Sequence, residues 1–170
     1  MRTAGVLLAL AVALTLQTTL AGLTVGASTT VNLVLVAVIF VALAYGPATG
    51  VLAGTAGGIA QDALAGGIIG VGGMAKTLVG FAVGVLGAQF IVSQPLPRLV
   101  MFVGATLVHE LCYQAVTALI ESRGFRLDLS AALMQAFING FVGVVAFLVV
   151  EQAPGLAQRR QARGTLSRRY

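Results

Sequence analysis

Between Arg2 and Asp62 the chain carries no charged residue. Positions 3 to 61 are largely Leu, Val, Ala, Gly and Thr. The free-energy cost of leaving water falls mainly on charge, so a charge-free run of this length reads as chain embedded in lipid. Only 9% of the 170 residues are charged, against about 25% in a soluble domain. The fold class that follows is an all-α integral membrane protein. It also singles out the charges inside the apolar segments, Asp62, Lys76 and Glu110. An ionisable group at membrane depth costs roughly 2.5 to 3.5 kcal/mol, so each is expected to be paired or to face a wet cavity.

Six hydrophobic segments are expected as transmembrane helices: about Ala4–Leu23, Val31–Tyr45, Pro47–Leu64, Gly73–Val92, Arg98–Ile120 and Ser130–Val150. The second is short, because roughly 30 Å of hydrocarbon takes about 20 helical residues. Thr24–Thr30 is a small polar loop, and Gly46-Pro47 breaks the chain with Pro47 opening a helix. Gly66, Gly67, Gly70, Gly72 and Gly73 form a turn region. Gln94-Pro95-Leu96-Pro97 is a rigid connector, with Pro97 opening the fifth helix. Asp128 or Ser130 caps the sixth. Pro154-Gly155 then releases a tail. Residues 1–153 are expected to form one six-helix transmembrane domain, and 154–170 a basic cytoplasmic tail. Arg2 before an apolar run resembles a secretory signal, with Thr19-Leu20-Ala21 as a weak cleavage site. The segment is read here as a first transmembrane helix.

With the N-terminus in the cytoplasm, Arg2, Arg98 and the tail residues Arg159, Arg160, Arg163, Arg168 and Arg169 lie inside, and only Arg123 and Arg126 outside. This asymmetry follows the positive-inside rule. It places the chain as a multi-pass protein of a cell membrane with both termini cytoplasmic. The basic tail is expected to meet anionic lipids. Nucleic acid is not an expected partner, because no aromatic interleaving or folded basic module accompanies the arginines. The lone Cys112 reads as a small buried hydrophobe.

Gly50, Gly54, Gly58 and Asp62 recur at intervals of four, as do Lys76, Gly80, Gly84 and Ala88. Residues four apart share a helix face. Each helix therefore has a small-residue stripe ending in a charge, and such stripes let two backbones approach closely in lipid. A hairpin through the glycine turn puts Asp62 and Lys76 at similar depth near the outer surface, as an ion pair or a shared polar network. Two roles stand open: the pair offsets its own burial and fixes helix register, or it lines a binding or coupling site. The fifth segment carries Thr106, Glu110, Tyr113, Gln114 and Thr117 on one face, with Glu110 near mid-membrane and His109 about 100° round from it. Gln17, Asn32, Gln61, Thr77, Gln135 and Asn139 fall mostly in the outer half. The readings are a polar cavity opening outward, or polar residues sitting near helix ends. Gly5, Ala9 and Ala13 give the first helix a flat face.

No phosphate-binding loop, nucleophile elbow, catalytic carboxylate pair or metal-ligand cluster is present in the sequence. No catalytic residue, cofactor or metal is expected, and the chain is read as non-enzymatic.

The order Gly46-Pro47, Gly50, Gly54, Gln61-Asp62-Ala63-Leu64-Ala65-Gly66, Gly70, Lys76-Thr77-Leu78-Val79-Gly80-Phe81 resembles the rod shape-determining protein MreD family. That family's central motif is a Gly-rich helix ending in Asp-x-x-Ser/Ala-Gly, a short Gly turn, and a helix opening near Lys-Thr-x-x-Gly/Tyr. The detailed match covers about 50 residues. The resemblance implies a fold similar to the substrate-binding S components of energy-coupling-factor transporters. It also implies a non-enzymatic scaffold subunit of the bacterial elongation machinery for lateral-wall peptidoglycan. The partners it implies are the single-span protein MreC, MreB filaments and, through the complex, the RodA polymerase with its class B penicillin-binding protein. The alternative is a true S component, which would bind a vitamin-like solute among the outward polar residues and couple through the Ala9-x-x-x-Ala13 face.

Overall fold

The shortest helix is also the most apolar, and the rest of the molecule is arranged around it. In the computed structural model, which describes residues 2–23, 31–89, 94–122, 124, 125 and 127–166, six helices follow one another. They are α1 (Arg2–Leu23), α2 (Leu33–Tyr45), α3 (Pro47–Ala65), α4 (Val71–Gln89), α5 (Pro95–Ile120) and α6 (Leu129–Leu166). No strand occurs among the described residues. The Thr24–Thr30 loop, the Val92 end of the fourth segment, Arg123, Arg126, Arg168 and Arg169 lie outside the described residues.

A helix that is apolar all round has no face to give to water and belongs in a core. α2 reads LVLVAVIFVALAY and buries Val34, Leu35, Val36, Val38, Ile39, Val41 and Ala42. It touches all five other helices. Its 13 residues span only about 20 Å. Inside a protein shell that shortfall is tolerated, because polar side chains reach its end. Around it α1 packs on α3, α3 on α4, α4 on α5, and α5 on α6. Among the described residues the backbones of α1 and α6 do not approach each other, so the ring is open at one place.

Four helices are long and apolar enough to cross a membrane: α1, α4, α5 and α6, the last over Leu129–Glu151. α3 is diluted by Gly, Thr, Gln and Asp, yet it lies antiparallel along the whole of α4, each helix having 19 residues. Gly46 serves both as the C-cap of α2 and the N-cap of α3 at φ 89° and ψ −179°. Only glycine enters that region without strain, so the reversal takes one residue. Gly66 ends α3 in the left-handed region at φ 67°, its N–H donating to the Asp62 carbonyl.

Two expectations about proline are corrected. α5 opens at Pro95, not Pro97. Both rings sit in the first turn, where N–H groups lack intrahelical partners, so neither breaks the helix. α6 does not end at Pro154-Gly155 but runs on to Leu166. Proline deprives only the carbonyl four residues back, and here that residue, Val150, is exposed at the end of the apolar span. Asp128 caps α6, accepting from the backbone N–H of Ser130 at 3.0 Å and Ala131 at 3.1 Å and from the Ser130 hydroxyl at 2.6 Å. The Ser130 hydroxyl first, then the Ala131 N–H, hold this carboxyl below its ordinary range.

Candidate functional site

The α3/α4 seam is a backbone-to-backbone contact. A Cβ on Gly50 would strike the Gly80 carbonyl, and one on Gly54 the Lys76 carbonyl. One on Gly58 would strike the backbone of Gly73, and one on Gly84 that of Pro47. Beside this seam Thr55 and Thr77 share a hydrogen bond at 2.7 Å. With the stripes in contact, the ends of both helices next to the glycine turn are fixed in register, and with them Asp62 and Lys76.

Of the two arrangements expected from the sequence, an ion pair or a shared polar network, Asp62 and Lys76 form no direct ion pair, and both line one polar hollow. Asp62 Oδ2 instead accepts from the backbone N–H groups of Gly70, Gly72 and Gly73 at 2.9, 3.0 and 3.2 Å. These are the unpaired donors at the start of α4. A carboxylate there gains three hydrogen bonds and the favourable end of the helix dipole. Lys76, only 2% exposed, turns to α5, where its Nζ lies 3.3 Å from His109 Nε2. His109 Nδ1 lies 3.3 Å from Glu110 Oε1. The tautomer with hydrogen on Nδ1 satisfies both neighbours: Nδ1–H donates to Glu110, and Nε2 accepts from Lys76. Tyr113, one turn on, stacks on the imidazole with ring centroids 6.0 Å apart.

Gln17 and Asn139 have another task. The N-terminus of α2 is buried, and its N–H groups need acceptors. Asn32 caps the helix by accepting from Leu35 N–H at 3.0 Å. Gln17 Oε1 accepts from Leu33 N–H at 2.7 Å, and Asn139 Oδ1 from Asn32 N–H at 3.0 Å. Asn139 Nδ2 reaches the Thr106 hydroxyl at 3.4 Å, which in turn donates to the Phe102 carbonyl.

Most of these groups border one hollow of about 430 Å³, walled by α1, α3, α4, α5, α6 and the residues Val31 and Asn32 that lead into α2. Asp62, Lys76, Glu110, Gln17, Asn32, Gln61, Gln135, His109 and Tyr113 line it. Asn139 stands behind Asn32 rather than on the wall. Gln114 does not line it. Position 114 lies about 40° round the helix from Glu110 and a full turn further along α5. Thr77 lies on the far side of α4, in an apolar furrow of about 890 Å³ between α3, α4 and α5.

His109 is the hub of the cluster, whereas the sequence pattern set it about 100° off the polar face of α5. The signal was present: Arg98, Phe102, Ala105 and His109 recur at helical spacing and are all buried, which marks the inward face of α5 and puts His109 on it. The same face carries a second unread contact. Arg98 donates to Glu151 of α6 and lies 4.5 Å over the Phe147 ring. Among the described residues no group of three or more His, Cys, Asp and Glu is placed to hold a metal ion.

Six helices, four of them able to cross a bilayer, wrapped around a buried short helix and a polar hollow, define a multi-pass membrane protein. The family model described as rod shape-determining protein MreD matches residues 1–152. The chain belongs to that family, and its role is in rod-shape determination. No curated protein and no solved structure matches the chain.

Proposed function

We propose that this protein is a non-enzymatic scaffold of the bacterial elongation complex. In this reading it sits in the inner membrane with both termini cytoplasmic. It associates with an MreC-like single-span protein, with the RodA polymerase and its class B penicillin-binding partner through the complex, and with MreB filaments. The observation that carries the reading is the family match over residues 1–152. The seam between α3 and α4 supports it, because backbone contacts of this kind suit a rigid platform better than a moving carrier. The distribution of arginines supports the orientation, and the five tail arginines support a contact with anionic lipid at the cytoplasmic face.

The test is complementation with a tagged full chain in a rod-shaped bacterium depleted of its own family member. Rod shape should return, and a single-span partner should co-purify. Round cells that nevertheless hold folded protein in the inner membrane would overturn the scaffold reading. Orientation is checked with reporters fused after Tyr170: a cytoplasmic fluorescent protein should be bright, and a periplasmic phosphatase inactive.

A further inference from the structure

Lys76 is almost wholly buried, and its ammonium has three N–H donors. Among the described residues it has one hydrogen-bonding partner, His109. Glu110 engages His109 through Oε1 alone. Gln61 Oε1 is buried with no partner. The hollow therefore presents unused donors on a cation and unused acceptors on an anion and an amide, all within one space of about 430 Å³. Unmatched charge at this depth is costly unless something completes it. A simple anion would meet Lys76 but be opposed by Glu110 and Asp62. A simple cation would meet Glu110 but be opposed by Lys76 and leave its donors unused, while Asp62 Oδ2 is already taken up by three backbone N–H groups. A molecule carrying both signs a few atoms apart answers both.

We propose that this hollow binds a small zwitterion, its acidic oxygen on Lys76 and its primary ammonium on Glu110, with Gln61 as a further acceptor. A quaternary ammonium has no N–H for Glu110 or Gln61, so the site discriminates against choline. Two sources carry the required chemistry. One is a free solute such as phosphoethanolamine. The other is the headgroup of phosphatidylethanolamine, entering where α1 and α6 leave the ring open beside Gln17 and Gln135. The proposal does not depend on the scaffold reading, and neither cell shape nor partner capture enters its test.

The full chain, stripped of lipid in detergent, is titrated with free phosphoethanolamine, phosphatidylethanolamine, phosphatidylcholine and phosphatidylglycerol, with bound mass read by native mass spectrometry. One or both ethanolamine compounds should bind about tenfold or more tightly than the other lipids, the worth of one or two charge-assisted hydrogen bonds. Lys76→Met and Glu110→Gln should each weaken that binding by about tenfold. Circular dichroism verifies that the variants fold, and if Lys76→Met does not, the half-buried Glu110→Gln decides. Binding of the free compound alone identifies a solute site, and binding of the lipid alone a headgroup site; both support the proposal. No ethanolamine adduct, binding of phosphatidylcholine or phosphatidylglycerol as tight as that of the ethanolamine compounds, or binding that a folded Glu110→Gln variant leaves unchanged would overturn it.

Discussion

Two helix pairs in this molecule solve the same problem by different means. α3 and α4 meet backbone to backbone along Gly50, Gly54, Gly58, Gly80 and Gly84. α5 and α6 meet through side chains. The fully buried Phe102 ring occupies the space a Cβ on Gly143 would take, Leu99 and Val103 sit against Gly140, and Arg98 reaches Glu151 over Phe147. In lipid there is no hydrophobic force between helices, so both pairs depend on close packing. They differ in how they yield. A peptide group in a seam cannot rotate away, whereas a ring or a leucine can change rotamer. The first pair should therefore be brittle and the second forgiving.

The largest effect is expected for Gly54→Leu. Its Cβ meets the Lys76 carbonyl and the Thr77 nitrogen, neither of which can move alone, and the loss should be about 3 kcal/mol or more. Reversible unfolding in mixed micelles measures it, and a near-wild-type Gly54→Leu would end the distinction between the two pairs. Next comes Asp62→Ala, which strips three N–H groups of their acceptor and should lose about 2 kcal/mol. Asp62→Asn keeps a carbonyl oxygen and should lose less. On the forgiving side, Gly143→Ala presses on the Phe102 ring and should cost about 1 to 2 kcal/mol. Adding Phe102→Leu should return part of that loss, since the neighbour and not the backbone is the obstacle. No such second-site relief is expected for Gly54→Leu.

Much of this was readable from residue order. Positions 3 to 61 without charge announce helices in lipid, and glycines at intervals of four announce a seam. The partner of Asp62 was not readable, because backbone N–H groups carry no signature and Lys76 is the more conspicuous cation. His109 was set off the polar face of Glu110 rather than placed on the buried stripe it shares with Phe102. The composition of α2 marks a core helix, yet its 13 residues were measured against the bilayer as a span. That comparison carries little weight for a helix packed against five others.

A smaller effect concerns the charge at the start of α6, outside the seam of either pair. Asp128 has its carboxyl held low by the Ser130 hydroxyl and nearby N–H groups. Its contribution is therefore full above the unfolded value and lost as pH falls through the folded one. The thermal midpoint of Asp128→Ala should lie below that of the wild type at pH 7, and the two should converge in acid. If the gap persists at low pH, the cap does not act through its charge.

Two amides at the head of α2 draw acceptors from far apart: Leu33 N–H from Gln17, before it in the chain, and Asn32 N–H from Asn139, more than a hundred residues after it. During synthesis the middle helix therefore waits for the last one. Until α6 has left the ribosome and closed in, the Asn32 amide has no carbonyl waiting for it in the oily interior. Two stretches more than a hundred residues apart therefore complete one cap together.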